Sequence, residues 1–165
     1  MKHIKIILVL FLLPILLIGC NGHKVKNHPI VENITLNKST YKEIKKTLNI
    51  NPESYYDEEI GGLNQTKYHC ISYTINNVEG KLKFGFDDKL NKLLWVYFEP
   101  SEYSKESGDA IKTWIFDKYK DYDQTTKDTG FVFSNGNENV ELYITENPID
   151  DTEYHGLYIE WTVVE

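Results

Sequence analysis

Two thiols, five imidazoles and several runs of carboxylates are the groups in this chain whose types could do chemistry. A thiolate is a nucleophile and a metal ligand, an imidazole moves protons or binds metal, and paired carboxylates act as acid and base. Cys20 follows Gly19 at the end of the uncharged run Ile6 to Ile18, and Cys70 lies in the apolar stretch Tyr68 to Ile75. His69 precedes Cys70, but successive strand residues point to opposite faces and cannot share a proton. His23, His28, His69 and His155 have no i, i+4 or Cys-x-x-Cys relation, so no metal is expected. The clusters Asp57-Glu58-Glu59, Asp87-Asp88 and Asp150-Asp151-x-Glu153 lack the features of a calcium loop and read as solvated turns. Gly-x-Ser-x-Gly, phosphate-loop and dinucleotide patterns are absent from the sequence. The expectation is a chain that is not an enzyme and needs no cofactor.

Cys20 is the thiol whose surroundings specify a reaction. Lys2, His3 and Lys5 give a basic start, the apolar run from Ile6 is interrupted by Pro14, and Leu17-Ile18-Gly19-Cys20 resembles a bacterial lipobox. The resemblance implies that the Cys20 thiol takes a diacylglyceryl group and that the 19 residues before it are removed as a signal peptide. A spanning helix needs about 20 apolar residues, and this run is shorter, with no stop-transfer charges at its far end. Membrane attachment through an amino-terminal lipid is therefore expected. Asn21 is not the aspartate that retains many lipoproteins in the inner membrane. The implied location is the outer membrane facing the periplasm in a Gram-negative host, or the outer face of the plasma membrane in a Gram-positive one.

Removal of 19 residues leaves 146 of the 165, enough for one domain, and takes the net charge from −7 to −9 through loss of Lys2 and Lys5. An acidic surface repels phosphate backbones, and all 18 basic residues are lysine, so the bidentate fork of arginine is missing. No nucleic acid partner is expected. With Cys20 acylated, Cys70 has no intramolecular thiol partner and reads as a small buried hydrophobe.

Residues 20–35 read as the lipidated cysteine and a flexible tether, because they carry Gly22 and Pro29 and show no sustained period. Thr40 and Glu43 fit a capping box, and Tyr41, Ile44 and Leu48 follow at helical spacing, predicting a helix over about 40–49. Residues 53–66 read as an acidic loop. Strands are predicted over 67–76, from Leu82 to Phe86, with a turn at Asn77 to Gly80, and from Leu93 to Phe98. Ile111, Trp114, Ile115, Tyr119 and Tyr122 share a helical face over about 108–121, with Ser107 and Asp109 suited to its start. Phe131 to Ser134 and Val140 to Thr145 flank the hairpin signal Asn135-Gly136-Asn137-Glu138. Leu157, Ile159, Trp161 and Val163 then alternate with Tyr158, Glu160 and Thr162. The expected fold class is α+β over 36–165, with two tandem helix-plus-three-strand units, about 36–100 and 101–165, whose helices pack on one face of an antiparallel sheet.

The segment Leu36-x-Lys38-Ser39-Thr40-x-x-Glu43-Ile44-x-x-x-Leu48-x-x-x-Pro52, followed by aromatic strands, is similar to the opening of the SmpA/OmlA outer-membrane lipoproteins. It also resembles the half-repeat of β-lactamase inhibitory proteins. The second resemblance implies a concave sheet face offered to a protein target, and the first implies a part in an outer-membrane assembly.

Twelve tyrosines and three tryptophans supply the remaining signal, because both side chains bury large area at little rotamer cost in interfaces. Tyr55, Tyr56, Tyr73, Tyr97, Tyr143, Tyr154 and Tyr158 fall on loops or polar-alternating strand faces and are expected at the surface. The expected interaction surface comprises Tyr55, Tyr56, Asp57, Glu58, Glu59, Tyr73 and Tyr97. Its expected partner is a protein, either a basic envelope hydrolase that the chain inhibits or an envelope assembly that it joins. Small-ligand binding between sheet and helices is a further alternative.

Overall fold

Residues 26–50, 56–59, 67–87, 92–146 and 154–164 are described by the structure, a computed structural model. Helix α1 (Tyr41–Thr47) starts where Thr40 sits in extended backbone and its hydroxyl accepts from the Glu43 amide at 3.2 Å. The Glu43 carboxylate accepts from the Thr40 amide at 2.9 Å, completing the reciprocal cap. Helix α2 (Lys105–Lys118) starts earlier than the apolar spacing predicts, because Ser104 is its cap and Ser107, the third helical residue, closes the box. Ser104→Ala is expected to cost about 1 kcal/mol, read as a lower urea midpoint with an unchanged slope.

The strands are β1 (Tyr56–Glu59), β2 (Lys67–Ile75), β3 (Val78–Phe86), β4 (Leu93–Pro100), β5 (Asp123–Lys127), β6 (Gly130–Ser134), β7 (Glu138–Glu146) and β8 (Tyr154–Val163). They form one antiparallel sheet in the order β1-β2-β3-β4-β8-β7-β6-β5, two four-strand meanders whose last strands pair at the centre. This overturns the expectation of two helix-plus-three-strand units packed on a sheet. The sheet dominates, each meander has a fourth strand at its outer edge, and the helices have only 7 and 14 residues. The physical reason lies in the two edges. Tyr56-Asp57-Glu58-Glu59 and Asp123-Gln124-Thr125-Thr126-Lys127 carry no apolar alternation, since an edge strand needs charge more than a buried stripe. The acidic segment read as a loop is thus partly an edge strand.

The first hairpin turns at Asn76-Asn77, both at positive φ (48° and 67°), as a two-residue connection between right-twisted strands requires. Gly80, expected in that turn, instead lies inside β3. At the other hairpin, the Asn135 side-chain oxygen accepts from the Asn137 and Glu138 amides at 2.9 and 3.0 Å.

Both helices lie on one face of the sheet. Ile111 and Ile115 of α2, and Ile44 of α1, join Leu82, Phe84, Val96, Phe98, Val140, Leu142, Ile159 and Trp161 in one core. Ile30, Val31, Ile34 and Leu36 are buried in the same core, so packing begins before the expected domain boundary at 36. Their burial comes from an irregular segment, whose spacing carries no helical or strand period. The Lys118 ammonium donates to the Ile30 carbonyl, and burial pulls its pKa down to about 8. The His28 amide donates to the Tyr122 hydroxyl, which donates to the buried Glu138 carboxylate, and the His28 ring meets Asp121 at 2.8 Å. Burial raises the Glu138 pKa.

Candidate functional site

Residues directly opposed across a sheet share a face, so the register lays out the face that the helices leave uncovered. One row runs Lys83, Tyr97, Glu160, Glu141, Val132, Thr125 across β3, β4, β8, β7, β6 and β5. A neighbouring row runs Gly85, Trp95, Thr162, Asn139, Ser134, Asp123. On the other side lie Tyr158 and Tyr143, opposed to each other, with Tyr143 next to Gly130. Among the described residues no helix covers this face.

The aromatic side chains here are partly exposed and stacked on each other. The Tyr97 and Tyr158 ring centroids are 4.7 Å apart, and Tyr158 and Tyr143 are also 4.7 Å apart at an interplanar angle of 6°. Three rings thereby form a ladder over β4, β8 and β7. Trp95 packs against Gly85 of β3, where an added Cβ would stand 2.0 Å from its indole. Glycine at this position is what lets the ring approach the backbone. The ladder is pre-ordered, so little rotamer entropy remains to be lost when another surface covers it.

Charges surround the rings in pairs. Lys83 contacts Glu99 at 3.1 Å and lies 5.4 Å from the Tyr97 centroid, and Tyr103 donates to Glu99 at 2.8 Å. Burial pushes the Glu99 carboxyl up, but the Tyr103 hydroxyl and the Lys83 ammonium together hold it below its ordinary range. Burial and the Glu99 contact push Tyr103 up to about 12, while burial above all raises Tyr97 and Tyr158. These hydroxyls therefore stay protonated at neutral pH and can donate hydrogen bonds.

Glu160 differs from its neighbours. It stands directly opposite Glu141, whose charge is already taken by Lys127 at 2.8 Å. Among the described residues Glu160 makes no ion pair. Its pKa is raised, first by burial and then by Glu141, with Lys127 opposing. A carboxyl raised in the folded state keeps its full contribution to stability below the unfolded pKa and loses it as pH rises through the folded value. Glu160→Gln is accordingly expected to stabilise the protein at pH 7 by roughly 0.5 kcal/mol, or about 1–2 °C in Tm. The gain should vanish near pH 4, as thermal melts at both pH values would show.

The expected interaction residues separate in the structure. Tyr97 is at the centre of the open face, whereas Tyr73 opposes Gly80 and packs against the helix-side core, so it does not belong to that surface. Tyr56, Asp57, Glu58 and Glu59 form β1 at the far edge of the sheet, paired with Cys70, His69, Tyr68 and Lys67. Cys20 and Tyr55 lie outside the described residues. Trp95, Tyr143, Tyr158 and Glu160 complete the face around Tyr97; the signal for two of them, Tyr158 and Glu160, was the strand alternation that sets Tyr158, Glu160 and Thr162 against the apolar Leu157, Ile159 and Trp161.

Two described clefts lie elsewhere. One of about 500 Å³ lies between the first hairpin and the start of α2, lined by polar residues including Asn76, Glu79, Ser104 and Ser107. Another of about 510 Å³ is lined by Asn27, Asn37 and Asn137. Among the described residues no cluster of His, Cys, Asp or Glu is arranged to hold a metal ion, and no helix is long and apolar enough to cross a membrane.

Comparison with protein-family models, with curated proteins and with solved structures finds no match. The open face must therefore be read from its own chemistry.

Proposed function

We propose that this chain is a lipid-anchored protein-binding module of the cell envelope, held to the membrane through Cys20 and engaging its partner with the open sheet face. The observation that carries this reading is the stacked ladder Tyr97-Tyr158-Tyr143 with Trp95 beside it, on a face that no helix covers among the described residues. Interfaces concentrate their binding energy in such aromatic anchors, with charged pairs at the rim. The mature chain's net charge of −9, from −7 less Lys2 and Lys5, favours a basic partner and speeds its approach. A basic envelope hydrolase, bound stoichiometrically by an inhibitor or immunity protein, fits that description. The polar clefts lie away from the aromatic face, which weighs against a small-ligand carrier.

Crosslinking of the full-length protein in its native host, purification through a carboxy-terminal tag and mass spectrometry of the bound proteins test the proposal. Recovery of one basic hydrolase in stoichiometric amount is expected. Recovery of an outer-membrane assembly would transfer the proposal to an accessory role, and recovery of no protein would contradict it.

A further inference from the structure

Resting on the binding role proposed above, we infer that Glu160 anchors a cationic side chain, an arginine by preference, from the partner protein, with the edges of the Tyr97 and Tyr158 rings beside it. Three observations carry the assignment. Glu160 stands in the middle of the open face, between Tyr97 on β4 and Glu141 on β7. The nearby lysines are committed, Lys83 to Glu99 at 3.1 Å and Lys127 to Glu141 at 2.8 Å. The Tyr97 and Tyr158 rings lie 4.7 Å apart with their planes 28° from parallel, so the aromatic edges are fixed before the partner arrives.

Two carboxylates directly opposed on paired strands repel each other, and a glutamine at either position would remove that cost. The arrangement is unfavourable in the free protein and becomes favourable when a cation enters. A guanidinium suits it better than an ammonium, because its planar fork can donate two parallel hydrogen bonds to one carboxylate. The chain itself contains no arginine, so none of its own side chains can supply this group.

The test uses the full-length protein in detergent, with 13C-labelled glutamate carboxyls and tyrosine rings, titrated with N-acetyl-arginine amide and with its neutral isostere N-acetyl-citrulline amide. The arginine compound should shift Glu160, Tyr97 and Tyr158 saturably, and the citrulline compound should not. In Glu160→Gln the apparent affinity should fall roughly tenfold to a hundredfold, the loss expected for a charge-assisted hydrogen bond. Its thermal melt at pH 7 reports whether the variant is folded; if it were not, the identity of the shifting carboxyl in the unsubstituted protein would still decide. Shifts spread evenly over Glu99, Glu141 and Asp123, or equal affinity in Glu160→Gln, would overturn the assignment.

The same variant separates this inference from the wider reading. A partner protein captured equally by the unsubstituted chain and by Glu160→Gln overturns the anchor and leaves the interface standing. Selective arginine binding at Glu160 with no protein captured supports the anchor and counts against the interface.

Discussion

Trp161→Ala is expected to lower unfolding stability by about 3–5 kcal/mol, against the roughly 5–15 kcal/mol that holds a domain together. Trp161 is fully buried on β8, between Val96 of β4 and Val140 of β7, where the two meanders join. Its indole N–H donates to the buried Tyr119 hydroxyl at 2.7 Å, and its ring meets Trp114 edge-on at a centroid distance of 6.4 Å. Truncation opens a cavity and also removes the donor from a hydroxyl that has no exposure to water. Urea titration followed by far-ultraviolet circular dichroism should show the midpoint collapse. Trp161→Phe keeps most of the volume and should lose markedly less, which separates packing from mere folding failure.

The second large effect concerns the anchor. Cys20→Ala is expected to abolish incorporation of an alkyne-palmitate label during growth and to leave the leader uncleaved, since both steps need the thiol in the lipobox reading. Two or more acyl chains give stable attachment where one is marginal, at about 0.8 kcal/mol per buried methylene. Intact mass spectrometry of the unsubstituted protein should show a chain that begins at Cys20 and carries the lipid. A labelled Cys20→Ala protein would contradict the anchor.

The parts of the fold legible in the sequence are those where local chemistry and burial agree. The Thr40 and Glu43 pair marked a cap, the alternation of Leu82, Phe84 and Phe86 marked a half-buried strand, and the Asn-Gly-Asn run marked a hairpin. Edge strands β1 and β5 were invisible because backbone pairing with a neighbour forms them, and every residue of β5 is exposed. The buried segment around Ile30 and Ile34 was invisible for the opposite reason: its core contacts come from tertiary folding around Lys118 and Tyr122. The site followed the same logic. Tyr73 and Tyr97 look alike in sequence, and only the register, which opposes one to Gly80 and the other to Lys83, puts them on opposite faces. The alternation of β8 placed Glu160 on the polar face, but its charge environment was not legible, since it arises from Glu141 opposite it on β7.

The central claim is that the partner sits on the open sheet face, and site-specific photocrosslinking addresses it most directly. Benzoylphenylalanine would replace Tyr158, in the ladder, or Thr113, on the exposed side of α2, in the full-length protein within its native host. The account predicts a discrete adduct of one partner from position 158 and none from position 113. An adduct from position 113 with none from position 158 would place the interface on the helix side and contradict it.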